Sequence, residues 1–498
     1  MRPELKEIYR VQKELALLSG ISNLLSWDQK TYMPPLGFMD RAEQISVVSR
    51  IAHNKFTNPD FQRLVNTVTN MRLRKKDRMI IDRLKKDLDK AKKLPASFVE
   101  EESKATSLAY AAWQVAKRED NFRLFKPHLE TIIALKKKEC KLKDLPGHPY
   151  NSLLDDFEEG MTTNRLKETF AYLKVELIKL LNEIKASALY KKKAHIPPCS
   201  LEGKKELCQF IRKRMGVTDD CSRLDNTEHP FTTTFNPDDV RITTNYQEGV
   251  QKAFFSTVHE AGHALYNLGL PKKYRYTSVW NYPSLGMQES QSRFWENVIA
   301  RNPLFWKYMF PVLKKSCNAD ISEEDWVFEI NQVKPSLIRT AADEITYNLH
   351  IILRFELELD LIEGKLKVRQ IPKAWKQKMK EYLGVTPKNN SEGCLQDVHW
   401  SMGIFGYFPT YTIGNIYAAQ LYYAMLKDKP DILNDLRRGK YDRILKWMRK
   451  HVHKLGRTIT AEEIVEKATG EGLNPRILIK YLREKYSKVY NLPVENID

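Results

Sequence analysis

The sequence predicts a mainly α fold with one small β element. Three observations carry this: apolar residues recur at helical spacing through most of the chain, a single stretch is rich in β-branched residues, and no tether or repeat divides the whole. The helical period is sharpest from Leu166 to Ile184, where Leu166, Phe170, Leu173, Leu177, Leu180 and Ile184 step by three or four and draw one apolar stripe. Similar patterns run through residues 4–25, 75–92, 97–140, 341–362 and 412–426. Thr460 with Glu463 has the spacing of a capping box, in which each side chain satisfies an orphan amide at a helix start. The exception lies within 222–247, where Phe231–Phe235 and Val240–Thr244 flank the turn signal Asn236-Pro237-Asp238-Asp239 and predict a small antiparallel sheet or hairpin. The remaining interruptions, at 143–151, 187–200, 269–286 and 385–392, are short, so residues 1–498 read as one unit with subdomains.

Composition bounds the function classes. With 42% hydrophobic and 29% charged residues the chain has ample material for a large core, which excludes a disordered protein. Its 82 basic against 63 acidic residues leave a net charge of +19, which raises nucleic acid, anionic lipid and acidic proteins as partners. The basic clusters at Arg72–Lys93 and Lys136–Lys143 alternate with acids at helical spacing, the pattern of a solvated helix face, and no nucleic-acid motif accompanies them. The expectation is therefore no nucleic-acid partner. No apolar run reaches the length of about 18 residues that a membrane span needs, and Leu15–Leu25 reads as an amphipathic helix and not as a signal peptide. Cys140, Cys199, Cys208, Cys221, Cys317 and Cys394 show no zinc-ribbon spacing and no dense disulfide framework, which fits a reducing, cytoplasmic compartment.

The chemistry centres on His259-Glu260-Ala261-Gly262-His263, set among apolar residues at helical spacing. Two histidines four apart on a helix differ by about 40° around its axis and one turn along it, so both imidazoles reach a single ion. Glu260 is rotated away from that pair and is placed to take a proton from a water. A third carboxylate, Glu289, follows 26 residues after His263 on the next predicted helix, and Glu296 competes with it, although an outward-facing charge is the plainer reading of Glu296. Two His and one Glu leave an open position on tetrahedral zinc, the catalytic arrangement. Donors for an oxyanion and a proton for a leaving amine are sought at His399, in Gly393–Trp400, and at Tyr411.

With these residues in view, the chain resembles the M32 family of zinc metallocarboxypeptidases. The motifs stand in order: His229-Pro230-Phe231, Asp239-Val240-Arg241-Ile242-Thr243, His259–His263, Glu289-Ser290-Gln291, Ile338–Asp343 and Gly393–Trp400, with Trp27-Asp28 and Arg41–Gln44 near the amino end. The resemblance implies a gluzincin-type helical peptidase with a deep central groove between two helical halves and the small sheet beside the metal. It implies His259, His263 and Glu289 as ligands of one Zn²⁺ per chain, Glu260 as general base, His399 in contact with the transition state and Tyr411 as an oxyanion donor. It also implies a homodimer. Arg339 is the choice for gripping a substrate carboxylate, with Arg241 the alternative, because a planar cation offers paired donors. Two departures stand out: Gln288 replaces the family's usual His before the third ligand, and Ser401–Phe405 carry larger side chains that could reshape a neighbouring subsite. The expected activity is release of single carboxyl-terminal residues from peptides. The alternatives are an oligoendopeptidase or dipeptidyl carboxypeptidase with the same chemistry, a catalytically silent scaffold, or a nucleic-acid binder.

Overall fold

The computed structural model describes residues 2–493, apart from 195 and 197. Six helices open the chain: α1 (Pro3–Thr31), α2 (Phe38–Phe56), α3 (Pro59–Thr69), α4 (Lys75–Lys92), α5 (Ala96–Arg118) and α6 (Phe122–Lys143). The long 97–140 pattern is two helices because Asp120 takes a left-handed φ of 51° and Asn121 caps the second, its side chain accepting from the Arg123 amide. Leu5, Ile8 and Val11 of α1 pack with Phe61, Val65 and Val68 of α3 and Ile81, Leu84 and Leu88 of α4, a small core separate from the main one.

The main body begins with α7 (Asn151–Leu154), α8 (Thr163–Ala186) and α9 (Leu201–Met215). The six stripe residues of α8 are all buried, and each contributes about 1.5–3 kcal/mol relative to exposure. The β-branched stretch forms β1 (Leu224–Asn226), β2 (Thr232–Asn236) and β3 (Asp239–Thr244) in the order β1-β3-β2. The expected antiparallel hairpin is β2–β3, with Asn236 Oδ1 accepting from the Asp238 amide in its turn. The sheet as a whole is mixed, since β1 pairs parallel with β3 through Leu224 and Ile242.

Next come α10 (Val250–Gly269), α11 (Leu285–Arg293), α12 (Pro303–Cys317), α13 (Glu323–Ile330), α14 (Thr346–Glu363) and α15 (Ile371–Leu383). The chain closes with α16 (Pro409–Asp428), α17 (Asp442–His451), α18 (Ala461–Thr469) and α19 (Pro475–Tyr490). Thr460 and Glu463 form the expected capping box at α18. Cys199 and Cys317 form a disulfide that ties the entry to α9 to the end of α12, a pairing that cysteine spacing did not suggest. Among the described residues, no helix is long and apolar enough to cross a membrane.

Candidate metal centre and active site

Two close approaches put Glu289 beside His259 and His263. A Cβ on Gly262 of α10 would stand 2.8 Å from Ser292 Cα of α11, and one on Gly414 of α16 would stand 2.8 Å from Glu289 Cβ. Glycine at both places lets α11 lie wedged between α10 and α16, with Glu289 turned towards the histidines. Ser284 caps α11, accepting from the Met287 amide at 3.0 Å.

Nε2 of His259 and Nε2 of His263 lie 3.7 and 3.6 Å from Oε2 of Glu289, and the three ligand atoms fall within 4.8 Å of one another. Donors about 2.1 Å from a tetrahedral ion stand about 3.4 Å apart, so these separations fit one divalent metal. The other ring nitrogen of His259, Nδ1, donates to Glu296 Oε2 at 2.8 Å, and because a carboxylate only accepts, Nε2 keeps its lone pair for the metal. Glu296 is therefore not an outward charge, and its Oε2 is spent on His259 and Arg293. It sits on the same helical face as Glu289, in the π turn Phe294–Ile299 that continues α11, and orients His259. Burial opposes ionisation of Glu289, yet Arg293, bonded to its Oε1 at 2.7 Å, and the His259 imidazole hold its carboxyl down to about 2. Burial holds His263 near 3 and therefore neutral, the state in which an imidazole can bind a metal.

Glu260 faces the groove from α10, and burial raises its carboxyl above the usual range. The Thr232 hydroxyl of β2 donates to its Oε2 at 2.6 Å. Across the groove, Nε2 of His399 stands 3.3 Å from Tyr411 Oη, and the His399 ring lies 4.4 Å from Phe408. Burial pushes the His399 imidazole down to about 4 and the Tyr411 phenol well above 10, so the first is neutral and the second keeps its O–H.

Arg339 lies in the same wall, buried, its guanidinium 5.1 Å from the Tyr411 ring. Its Nε and Nη2 donate to Asp397 Oδ1 at 2.9 and 2.8 Å, and Nη1 donates to Tyr347 Oη at 3.2 Å, which leaves two of five N–H groups. Asp397 also takes Arg354 on its other oxygen, so two cations share one carboxylate and an excess positive charge remains beside the groove. Arg241 is elsewhere: its guanidinium is sandwiched 4.6 Å from Trp27 and 4.5 Å from Phe235, pairs with Asp239, and does not line the groove. The reason is local, since β3 side chains alternate in direction and Arg241 falls on the face covered by α1. Ser401–Phe405 are also off the groove; Phe405 stacks on Trp400 in the core, and Met402 is exposed.

The groove that joins these groups encloses about 1030 Å³ and is lined from α5, the 228–232 segment, α10, α11 and residues 329–347 and 391–411. Thr232, Tyr347 and Tyr407 in its walls were not singled out from sequence, where nothing separates them from ordinary strand, helix and loop residues.

Known proteins share both the order of residues and this architecture. Residues 7–486 match the family described as carboxypeptidase Taq (M32) metallopeptidase. The chain is 39% identical over 494 residues to carboxypeptidase 1 of Bacillus subtilis, covering 98% of this chain and 99% of that one. It is 37% identical over 509 residues to thermostable carboxypeptidase 1 of Thermus thermophilus, covering 98% and 100%. The crystal structure of the M32 carboxypeptidase from Deinococcus radiodurans R1 superposes with a TM-score of 0.94 at 34% identity, covering 99% and 100%. A helical groove with a three-point metal centre, on a chain matched nearly from end to end, thus belongs to the M32 family and makes this protein a metallocarboxypeptidase.

Proposed function

We propose that the chain is a zinc enzyme that removes single residues from peptides with a free carboxyl end. The observation that carries this is the convergence of His259, His263 and Glu289 opposite a groove wall that holds surplus positive charge. Two imidazole nitrogens and one carboxylate oxygen suit one Zn²⁺ better than Mg²⁺, which favours near-octahedral oxygen. Zinc, when bound, acidifies a water and polarises the scissile carbonyl.

The remaining steps belong to side chains. Glu260, with one oxygen tied by Thr232, takes the proton from the attacking water on its other oxygen and passes it to the departing amine. Its raised affinity for protons suits it to both transfers. Tyr411, whose O–H persists at any physiological pH, donates to the carbonyl oxygen as charge develops there. His399 stays neutral and holds the phenol's direction through the 3.3 Å contact. Arg339 offers its two unspent N–H groups to the terminal carboxylate, and the uncompensated cation of the Arg339–Asp397–Arg354 cluster favours that anion. A groove walled on both sides admits an unfolded peptide end and rejects folded chains.

Peptides with free and amidated carboxyl ends distinguish this reading from an endopeptidase. Mass spectrometry is expected to show a ladder of single-residue losses from the free form and at least tenfold slower cleavage of the amide; equal cleavage of both, or release of dipeptides, would replace it with one of the alternatives. A homodimer and a cytoplasmic location complete the proposal. The four cysteines that stay free support that compartment, and the Cys199–Cys317 bridge weighs against it. Sedimentation at one-chain mass would set the dimer aside.

A further inference from the structure

The two metal-site histidines are held in different ways. His259 donates to a carboxylate, Glu296. Nδ1 of His263 is buried with no well-formed hydrogen bond, and so is Oε1 of Gln288, although the two side chains touch. Once Nε2 of His263 is turned to a metal, Nδ1 carries the proton and needs an acceptor, and the Gln288 carbonyl oxygen is one. The nitrogen end of the Gln288 amide points the other way: Nε2 donates to Asn267 Oδ1 at 3.0 Å, and Asn267 Nδ2 donates to Thr234 Oγ1 at 2.9 Å. With the Gln288 nitrogen turned to Asn267, its oxygen, buried and without another partner, is the group left to accept from His263. Thr234 lies two residues from Thr232 on β2, so both hydroxyls stand on one face of the strand, and Thr232 holds Glu260. One strand face thus reaches the base directly and the metal ligand through two amides.

We infer that Gln288 is a positioning residue for His263, the last link of a neutral relay Thr234–Asn267–Gln288 by which β2 sets a metal ligand and the general base in one register. The inference rests on the zinc reading above. A relay with no formal charge orients His263 without the added basicity that a carboxylate lends His259, so metal affinity depends on its geometry.

The test titrates the metal-free, full-length protein with Zn²⁺ against a competing chelator. Wild-type protein that fails to bind zinc would overturn the functional reading itself, and the relay with it. If the wild type binds, Gln288→Leu, similar in size but without an acceptor, is expected to weaken zinc binding about tenfold or more, within the range of 10–100 that such supporting contacts carry. Gln288→His, which restores an acceptor nitrogen, is expected to recover affinity to within about threefold of wild type, a rescue that loss of packing alone would not produce. Thr234→Val is expected to weaken binding measurably, and the Gln288→Leu/Thr234→Val double variant to be no weaker than Gln288→Leu alone, since links of one chain are not additive. Zinc affinity of Gln288→Leu within about twofold of wild type, a loss that Gln288→His does not restore, or fully additive losses would each overturn the relay. If Gln288→Leu does not fold, Thr234→Val decides: unchanged zinc affinity there overturns it.

Discussion

At the scale of the residue, the metal centre is a set of lone pairs aimed by their neighbours. Nε2 of His259 faces the centre because Nδ1 is spent on Glu296, and Oε2 of Glu289 faces it because Oε1 is spent on Arg293. Glu296→Gln keeps the size and removes the charge, so zinc affinity, measured by chelator competition, is expected to fall about 10–100-fold with the fold intact. An unchanged affinity would mean that Glu296 merely fills space. That His259 and His263 stand together was legible in the sequence, because the i, i+4 spacing is a geometric statement in itself. Glu296 was not, since its role depends on the π turn that follows α11, and no local pattern announced that turn. Arg241 was misplaced for a related cause: an arginine among motifs reads as a clamp, whereas Trp27, which covers it beside Phe235, comes from α1, an element that sequence alone does not bring to the hairpin.

At the scale of the element, α11 is positioned by what its neighbours lack. Gly262 and Gly414 let α10 and α16 close on it, and a methyl group on Gly414 would press on Glu289 Cβ and Cγ at 2.8 and 2.9 Å. Gly414→Ala is expected to cost about 1–3 kcal/mol in denaturant unfolding and to weaken zinc binding, because the strain falls on the ligand itself. Wild-type stability and metal affinity in that variant would show that α11 shifts freely. The helices and the hairpin were readable from period and turn chemistry, which are local. The parallel pairing of β1 with β3 and the glycine contacts are not local, and neither left a trace in hydropathy. The 97–140 pattern showed the same limit, since an apolar stripe continues across Asp120 even though the backbone reverses there.

At the scale of the whole molecule, buried titratable groups shape the dependence of stability on pH. Burial holds His263, His350 and His453 near 3 and His399 near 4, against 6.5 for a free imidazole. Their unfolded forms bind protons that the fold refuses, so stability rises with pH until about 6.5. Glu158 and Glu358 run the other way: burial raises them from 4.5 to about 8 and about 7, so the fold keeps protons that the unfolded chain has released, and stability falls through that window. Above about 6.5 these four imidazoles add nothing more, whereas Glu158 and Glu358 go on lowering stability, and the raised His259 imidazole acts in the same direction. Denaturant unfolding of the metal-free protein is therefore expected to show stability declining from about pH 6.5 towards pH 8; a continued rise across that interval would mean that Glu158 and Glu358 ionise freely in the fold. The basic cluster on α6 is not the wholly solvated face its spacing predicts, since Lys136 and Lys143 are buried against Glu102, Glu139 and Asp156.

The most direct measurement is zinc content together with turnover in Glu260→Gln, with His263→Ala beside it. Glu260→Gln is expected to keep one equivalent of zinc and lose turnover by a factor of about 10²–10⁴ or more, while His263→Ala loses the metal. Undiminished turnover in Glu260→Gln, or undiminished zinc in His263→Ala, would contradict the assignment of these residues to base and ligand.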